Sequence, residues 1–156
     1  MNSAVSSSSD PLLDQPARTS AWARMGVFYV RIALGCSFLS AVADRFGLWG
    51  RYGGWGNFAN FTRYVAQVNS FMPAFTIRFL AWAATLAETV LGILLILGLW
   101  LRWVSLGSAV LLAMFGTAMA ISFGVKSPLD YSVFSASSAA VLLALQVWND
   151  NRARNS

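Results

Sequence analysis

Apolar residues fill four long runs of this chain, and charged or glycine-rich segments separate the runs. The runs cover about residues 25–44, 77–99, 103–123 and 131–148. A helix rises about 1.5 Å per residue, so runs of this length approach or exceed the roughly 30 Å hydrocarbon core of a bilayer. The pattern therefore predicts four transmembrane helices.

The connection between the first two runs carries a different pattern. Its first part is rich in glycine and reads as irregular loop. Farther along, apolar residues recur at spacings of three and four with polar residues between them: Phe58, Phe61, Val65, Val68 and Met72. This spacing predicts a short amphipathic helix in the membrane interface, which either caps the bundle or covers a ligand.

The other two connections are short, near residues 98–102 and 124–128, so consecutive helices should be antiparallel neighbours. We therefore predict an all-α fold, a polytopic membrane four-helix bundle with an interfacial amphipathic helix between spans one and two. The membrane domain covers residues 21–150. Residues 1–20 are rich in Ser with Asp and Pro, which predicts a disordered tail, and residues 151–156 form a C-terminal tail.

Composition agrees with a bilayer partner and disfavours a nucleic-acid partner. The chain is 57% hydrophobic and 11% charged, whereas soluble domains carry about 25% charged residues. The net charge of +5 comes from basic residues at the ends of the apolar runs, as membrane flanks require. There is no histidine and one cysteine, so we expect no metal site and no internal disulfide. Any redox role needs a diffusible cofactor or a partner subunit.

The basic residues do not decide the orientation in the membrane, because five flank each face. One face carries Arg18, Arg24, Arg102, Arg152 and Arg154, and the other carries Arg45, Arg51, Arg63, Arg78 and Lys126. The long polar N-terminal segment favours both termini in the cytoplasm.

Glu88 is the one carboxylate inside the second run, and Arg31 is the one charge in the first run before its last residue. A charge at the centre of a spanning helix costs roughly 2.5–3.5 kcal/mol, so each needs compensation. Counted from the helix ends, the two residues lie at similar depths, which predicts a buried Arg31–Glu88 ion pair. The pair has either a structural role, in which it locks the two helices together, or a functional role, in which it binds a polar head group or relays a proton.

A second pair of charges lies near the opposite face. Asp44 ends the first run and Arg78 begins the second, so the sequence predicts an interfacial and structural Asp44–Arg78 ion pair. No residue pattern identifies a catalytic group.

Three short motifs together resemble the DoxX family of small, mostly bacterial four-helix membrane proteins. They are Arg31-Ile-Ala-Leu-Gly35, Glu88-Thr-Val-Leu-Gly92 and Gly98-Leu-Trp-Leu-Arg102, within a likeness over about residues 24–148. Where the family has Gly and Lys closing helix one, this chain has Ala43-Asp44-Arg45 and then Phe46-Gly47.

The resemblance implies a multi-pass protein of the bacterial cytoplasmic (inner) membrane that associates with membrane redox enzymes, since named relatives are subunits of a thiosulfate:quinone oxidoreductase. It favours an accessory subunit of a quinone-linked oxidoreductase, with no covalent cofactor, a quinone nearby and a redox subunit as partner. A structural or assembly protein without catalytic activity is the alternative, and a homo-oligomer stays open. A small-molecule transporter ranks third, because spans two and three lack the helix breaks typical of transporters.

Overall fold

The computed structural model describes residues 21–155, with side chains to residue 153, so the predicted tail at residues 1–20 lies outside the described part. Its helices are α1 (Ala21–Arg45), a 3₁₀ turn (Gly50–Tyr52), α2 (Phe58–Val68), α3 (Ala74–Leu97), α4 (Leu101–Phe123), α5 (Lys126–Asp130) and α6 (Val133–Asn155). The regular structure of this part of the chain is all helical, which confirms the predicted all-α class.

Three of these helices, α1, α3 and α4, are long and apolar enough to cross a membrane. Their outer faces present large apolar side chains, for example Phe79 (73% exposed) and Leu86 (66% exposed), as lipid-facing surfaces do. The fourth long helix, α6, has 23 residues but ends in the polar sequence Asn149-Asp150-Asn151-Arg152. The structure therefore supports a helical membrane bundle, and the fourth span stays a prediction.

The long helices pack as two close pairs, α1 with α3 and α4 with α6, and contacts of α1 with α6 and of α3 with α4 join the pairs. The core between them is apolar and consists of Leu34, Phe38, Leu95, Val104, Ala109, Ala140 and Leu143. One hydroxyl adds a direct link, since Ser137 on α6 donates to the carbonyl oxygen of Ala109 on α4 at 2.8 Å.

Two glycines bring α1 and α3 into close contact. A Cβ added to Gly35 would lie 2.7 Å from Cγ1 of Ile96 and 2.9 Å from the carbonyl oxygen of Gly92. A Cβ added to Gly92 would lie 3.0 Å from Cγ of Leu39. Because Gly35 has no room for a side chain and Gly92 has room only if its neighbours shift, the two backbones approach directly, as small residues allow in lipid. This contact fixes the relative height of every residue on the two helices.

The α3–α4 turn is the tight hairpin that the sequence predicts. Gly98 follows α3 in the left-handed conformation, with φ 73°, and its N–H and that of Leu99 both bond the carbonyl oxygen of Leu94. This is the glycine-terminated helix end in which otherwise unpaired carbonyls find donors. Trp100 also has a positive φ, 43°, and α4 begins at the next residue.

The predicted amphipathic helix is present as α2, which ends earlier than the apolar spacing implies. Phe61, Val65 and Val68 are buried, whereas Met72 is exposed in a turn after the helix. The sequence also predicts a plain turn at residues 124–128, where the structure has the short helix α5 with Pro128 buried.

We predict opposite effects for two glycine substitutions on α1. Gly35→Ala should destabilise the protein by about 1–3 kcal/mol, because its Cβ overlaps α3 and forces the helices apart. Gly26→Ala is the matched control, since a Cβ there meets no atom within 4 Å. It should be neutral or stabilising by up to about 1 kcal/mol through helix propensity. Thermal or denaturant unfolding in detergent measures both, and equal effects would contradict the proposed contact.

Candidate functional site

The buried carboxylate of Glu88 binds Arg45. Nη2 of Arg45 donates to Oε1 of Glu88 at 2.7 Å and to Oε2 at 2.6 Å, and both side chains are 3% exposed. Nη1 of Arg45 donates to Oγ1 of Thr85 at 2.9 Å, and this hydroxyl donates in turn to the carbonyl oxygen of Ala81 at 2.8 Å. The pair therefore joins the end of α1 to the middle of α3 through charge-assisted hydrogen bonds.

Aromatic rings cover the guanidinium of Arg45. Its Cζ lies 3.8 Å from the ring centroid of Phe61 and 5.7 Å from that of Trp55. These cation–π contacts stabilise the cation where water is excluded. Trp55 and Phe61 also contact each other edge to face at 5.0 Å, which closes the cover over the ion pair.

The cover depends on α2, which is capped at its start and tied to α4 at its end. At its start, the side chain of Asn57 accepts a hydrogen bond from the N–H of Asn60, as an N-cap residue does. At its end, Ser122 on α4 donates to the carbonyl oxygen of Val68 at 2.6 Å. The apolar face between these anchors packs on Ile77 and Ala81 of α3.

Tyr64 lies on α2 between the cover and α4. Its ring contacts Trp55 at 5.6 Å and Phe123 at 6.2 Å between centroids. Burial, and to a smaller extent the nearby Tyr131, raises the pKa of Tyr64, so its hydroxyl stays neutral at physiological pH.

Asp44 holds the glycine-rich loop against the end of α1. Its Oδ2 accepts hydrogen bonds from the backbone N–H groups of Gly54, at 2.9 Å, and Trp55, at 3.1 Å. Its Oδ1 is buried without a hydrogen-bond partner and packs on Gly53, where a Cβ would overlap it. The loop thus needs a glycine at residue 53. Through its hydrogen bond to the N–H of Trp55, Asp44 also positions the Trp55 ring over Arg45.

A pocket of about 430 Å³ lies beside this loop. Its lining residues are Ser37, Ser40, Ala41, Asp44, Trp49, Tyr52, Gly53 and Trp55. Trp49 is fixed across it, because its Nε1 donates to the carbonyl oxygen of Ser40 at 3.1 Å. Within residues 21–153, the acidic and thiol side chains do not gather in threes, so this part of the chain offers no candidate metal centre.

The predicted Arg31–Glu88 pair is wrong, because the helix register separates the two residues. Arg31 lies beside Gly98, level with the α3–α4 turn, since Nη1 of Arg31 occupies the space that a Gly98 Cβ would need. Glu88 lies ten residues from Gly98 along α3, on the order of 15 Å in height. Counting from helix ends misplaced Arg31, because the first ten residues of α1 extend beyond the end of α3.

The predicted Asp44–Arg78 pair is also wrong. The carboxylate of Asp44 faces the loop amides, and Arg78 is exposed in the first turns of α3. Backbone N–H groups in an irregular glycine-rich loop need acceptors, and a carboxylate at the end of the preceding helix is close enough to supply one.

Arg45 is the residue that the sequence interpretation missed as the partner of Glu88. It was counted as a flanking charge because it stands at the end of the apolar run. The available signal was the closing segment Ala43-Asp44-Arg45, where a basic residue follows the first span. Counting antiparallel from the Gly35–Gly92 contact places Arg45 about 9 Å in height from Glu88, a gap that the two long side chains close because each tilts toward the start of its own helix.

A match to a family model agrees with this architecture. The DoxX family model matches residues 26–122, which is more than half of the chain and covers α1 to nearly the end of α4. This chain belongs to the DoxX family. No curated protein and no solved structure matches it. The family and the three apolar helices together make it a multi-pass membrane protein.

The ion pair of this DoxX protein gives a sharp stability prediction. Glu88→Gln should cost roughly 3–5 kcal/mol, because it leaves the Arg45 cation buried without a counter-charge. The double variant Arg45→Met with Glu88→Leu should recover most of that loss, since both desolvation penalties disappear. Unfolding of the purified protein in detergent measures each step.

The control for this prediction is the double variant Arg31→Met with Glu88→Gln. Its change in stability should equal the sum of the changes in Arg31→Met alone and Glu88→Gln alone, because Arg31 does not contact Glu88. Rescue by the Arg31 substitution instead of the Arg45 substitution would show that the pairing described here is wrong.

Proposed function

We propose that this chain is an accessory subunit of a quinone-linked membrane oxidoreductase, and that the pocket beside Asp44 receives the quinone head group. The supporting observation is the lining of that pocket, which combines the aromatic rings of Trp49, Tyr52 and Trp55 with the hydroxyls of Ser37 and Ser40. Flat aromatic walls suit a planar ring, and hydroxyls suit its oxygens.

The pocket's size and place support the same assignment. A volume of about 430 Å³ falls within the roughly 300–1,000 Å³ of small-molecule sites. The pocket lies at the end of α1, where a lipid-soluble molecule can bring a polar head group to the edge of the bilayer. The chain has a single cysteine and no histidine, so a partner subunit is proposed to supply the electron-transfer groups.

The geometry also bears on orientation in the proposed bacterial cytoplasmic membrane. Arg45 is neutralised by Glu88 and leaves the count of flanking charges, whereas Arg31, which that count omitted, lies level with the α3–α4 turn and joins it. If α6 is a fourth span, the face with the termini carries Arg18, Arg24, Arg31, Arg102, Arg152 and Arg154. The other face keeps Arg51, Arg63, Arg78 and Lys126. The tie becomes six against four, which supports cytoplasmic termini under the positive-inside rule.

A structural or assembly role is the second candidate, and the closed ion pair favours it. Arg45 and Glu88 are each 3% exposed on their side chains, and aromatic rings cover the guanidinium, so the pair offers no surface to a ligand. Its arrangement suits a lock between α1 and α3. The transporter alternative gains no support, because α3 and α4 run without a break.

Quinone binding tests the first candidate. A short-tailed ubiquinone titrated against the full chain in nanodiscs should bind saturably above its partition into empty nanodiscs. Trp49→Leu removes a pocket wall and should weaken binding about three- to tenfold, as expected for a lost aromatic contact and hydrogen bond. Trp49→Phe keeps the ring and should lose less.

Trp22→Leu is the matched control, because Trp22 lies exposed at the start of α1 and does not line the pocket. It should bind like the wild type. Absence of saturable binding, or equal weakening in the Trp22 variant, would reject the quinone site and leave the structural role.

A further inference from the structure

Two arginines at the end of the bundle opposite the ion pair have no counter-charge. Arg31 on α1 and Arg102 on α4 flank the α3–α4 turn, and both are half-buried. Neither forms an ion pair with any described residue, and the Nε atoms of both are buried without a hydrogen-bond partner. The Nε of Arg45 also lacks a partner, so the difference lies at the other guanidinium nitrogens: those of Arg45 donate three hydrogen bonds to Glu88 and Thr85.

The surroundings hold both guanidiniums in place without neutralising them. Nη1 of Arg31 lies against Gly98, and its Cζ lies 5.3 Å from the Phe28 ring centroid. Cζ of Arg102 lies 3.6 Å from the Trp148 ring centroid on α6 and 4.8 Å from that of Trp103. Aromatic faces and a bare glycine orient a cation, but they do not satisfy the five N–H donors that each arginine carries.

We propose that Arg31 and Arg102 together bind a phosphate group, supplied by the head group of an anionic phospholipid. A planar guanidinium matches the oxygens of a phosphate with parallel hydrogen bonds, and both arginines lie at the end of the bundle that carries the α3–α4 turn. The turn links two apolar helices that can cross the membrane, so it lies at the level of the lipid head groups.

Retention of lipid by the purified full-length protein tests this site. Native mass spectrometry compares dioleoyl phosphatidylglycerol with dioleoyl phosphatidylcholine, each added to delipidated protein in detergent. Phosphatidylglycerol should bind more tightly than phosphatidylcholine. Arg31→Gln and Arg102→Gln should each weaken its binding about tenfold, as expected for losing a charge-assisted hydrogen bond. Equal binding of the two lipids would overturn the proposal.

Arg24→Gln is the matched control, because Arg24 is an exposed cation near the same end of α1. It should bind phosphatidylglycerol within about twofold of the wild type, since an exposed charge contributes little. If it weakens binding as much as Arg31→Gln does, diffuse surface charge explains the binding and the site is rejected.

Substitution by lysine separates a built site from a folding defect. Arg31→Lys and Arg102→Lys keep the charge and the bundle but lose the forked donors, so their affinity should fall between those of the wild type and the Gln variants. Two results would count against bidentate recognition. One is a folded lysine variant that binds the lipid as tightly as the wild type does. The other is a lysine variant that is unfolded and binds the lipid no more tightly than the Gln variants do.

Two other anions are distinguished by the same measurement. Inorganic phosphate that displaces phosphatidylglycerol at micromolar concentration would assign the site to a soluble phosphate and support the phosphate chemistry. The carboxylates of Asp10 and Asp14 lie on the N-terminal segment outside the described residues. The double variant Asp10→Asn with Asp14→Asn tests this pairing. If it lowers the melting temperature as much as the arginine-to-Gln variants do, and lipid binding is unchanged, the arginines pair with that segment. The proposal then fails.

Discussion

The backbone contact between Gly35 and Gly92 is the constraint on which the arrangement of charges depends. Two helices that meet at glycines cannot slide past each other without meeting a side chain, so their register is fixed. That register places Arg45 within reach of Glu88, and it places Arg31 level with the α3–α4 turn. A change of register would leave Glu88 without its cation inside the apolar part of the bundle, which is energetically costly.

The Arg45–Glu88 pair in turn explains the structure that covers it. A buried ion pair is stable only when good geometry and additional hydrogen bonds offset the loss of hydration of both charges. Thr85 takes one guanidinium nitrogen, and the ring of Phe61 covers the cation. The loop that brings in Trp55 is held by Asp44, the residue next to Arg45 in the chain. The amphipathic helix α2 therefore has a defined role as a cap over a charge.

The two ends of the bundle carry different chemistry as a result. At the α2 end, the buried charges are paired and sealed, and the accessible feature is an aromatic pocket beside Asp44. At the end with the α3–α4 turn, two oriented arginines have no partner among the described residues. The quinone ring and the anionic head group that we propose as ligands would occupy opposite faces of the membrane.

Apolar run lengths and glycine positions determined much of the fold from the sequence alone, because local composition dictates which segments form helices and where they end. The helical class, the amphipathic segment and the turn at Gly98 follow from such local signals. The sequence also marked Glu88 as a buried charge that needs a partner. Only the tertiary structure decided that the partner is Arg45, because pairing depends on the relative height of two helices. That height is set by side-chain volume at Gly35 and Gly92, and counting residues from helix ends does not measure it.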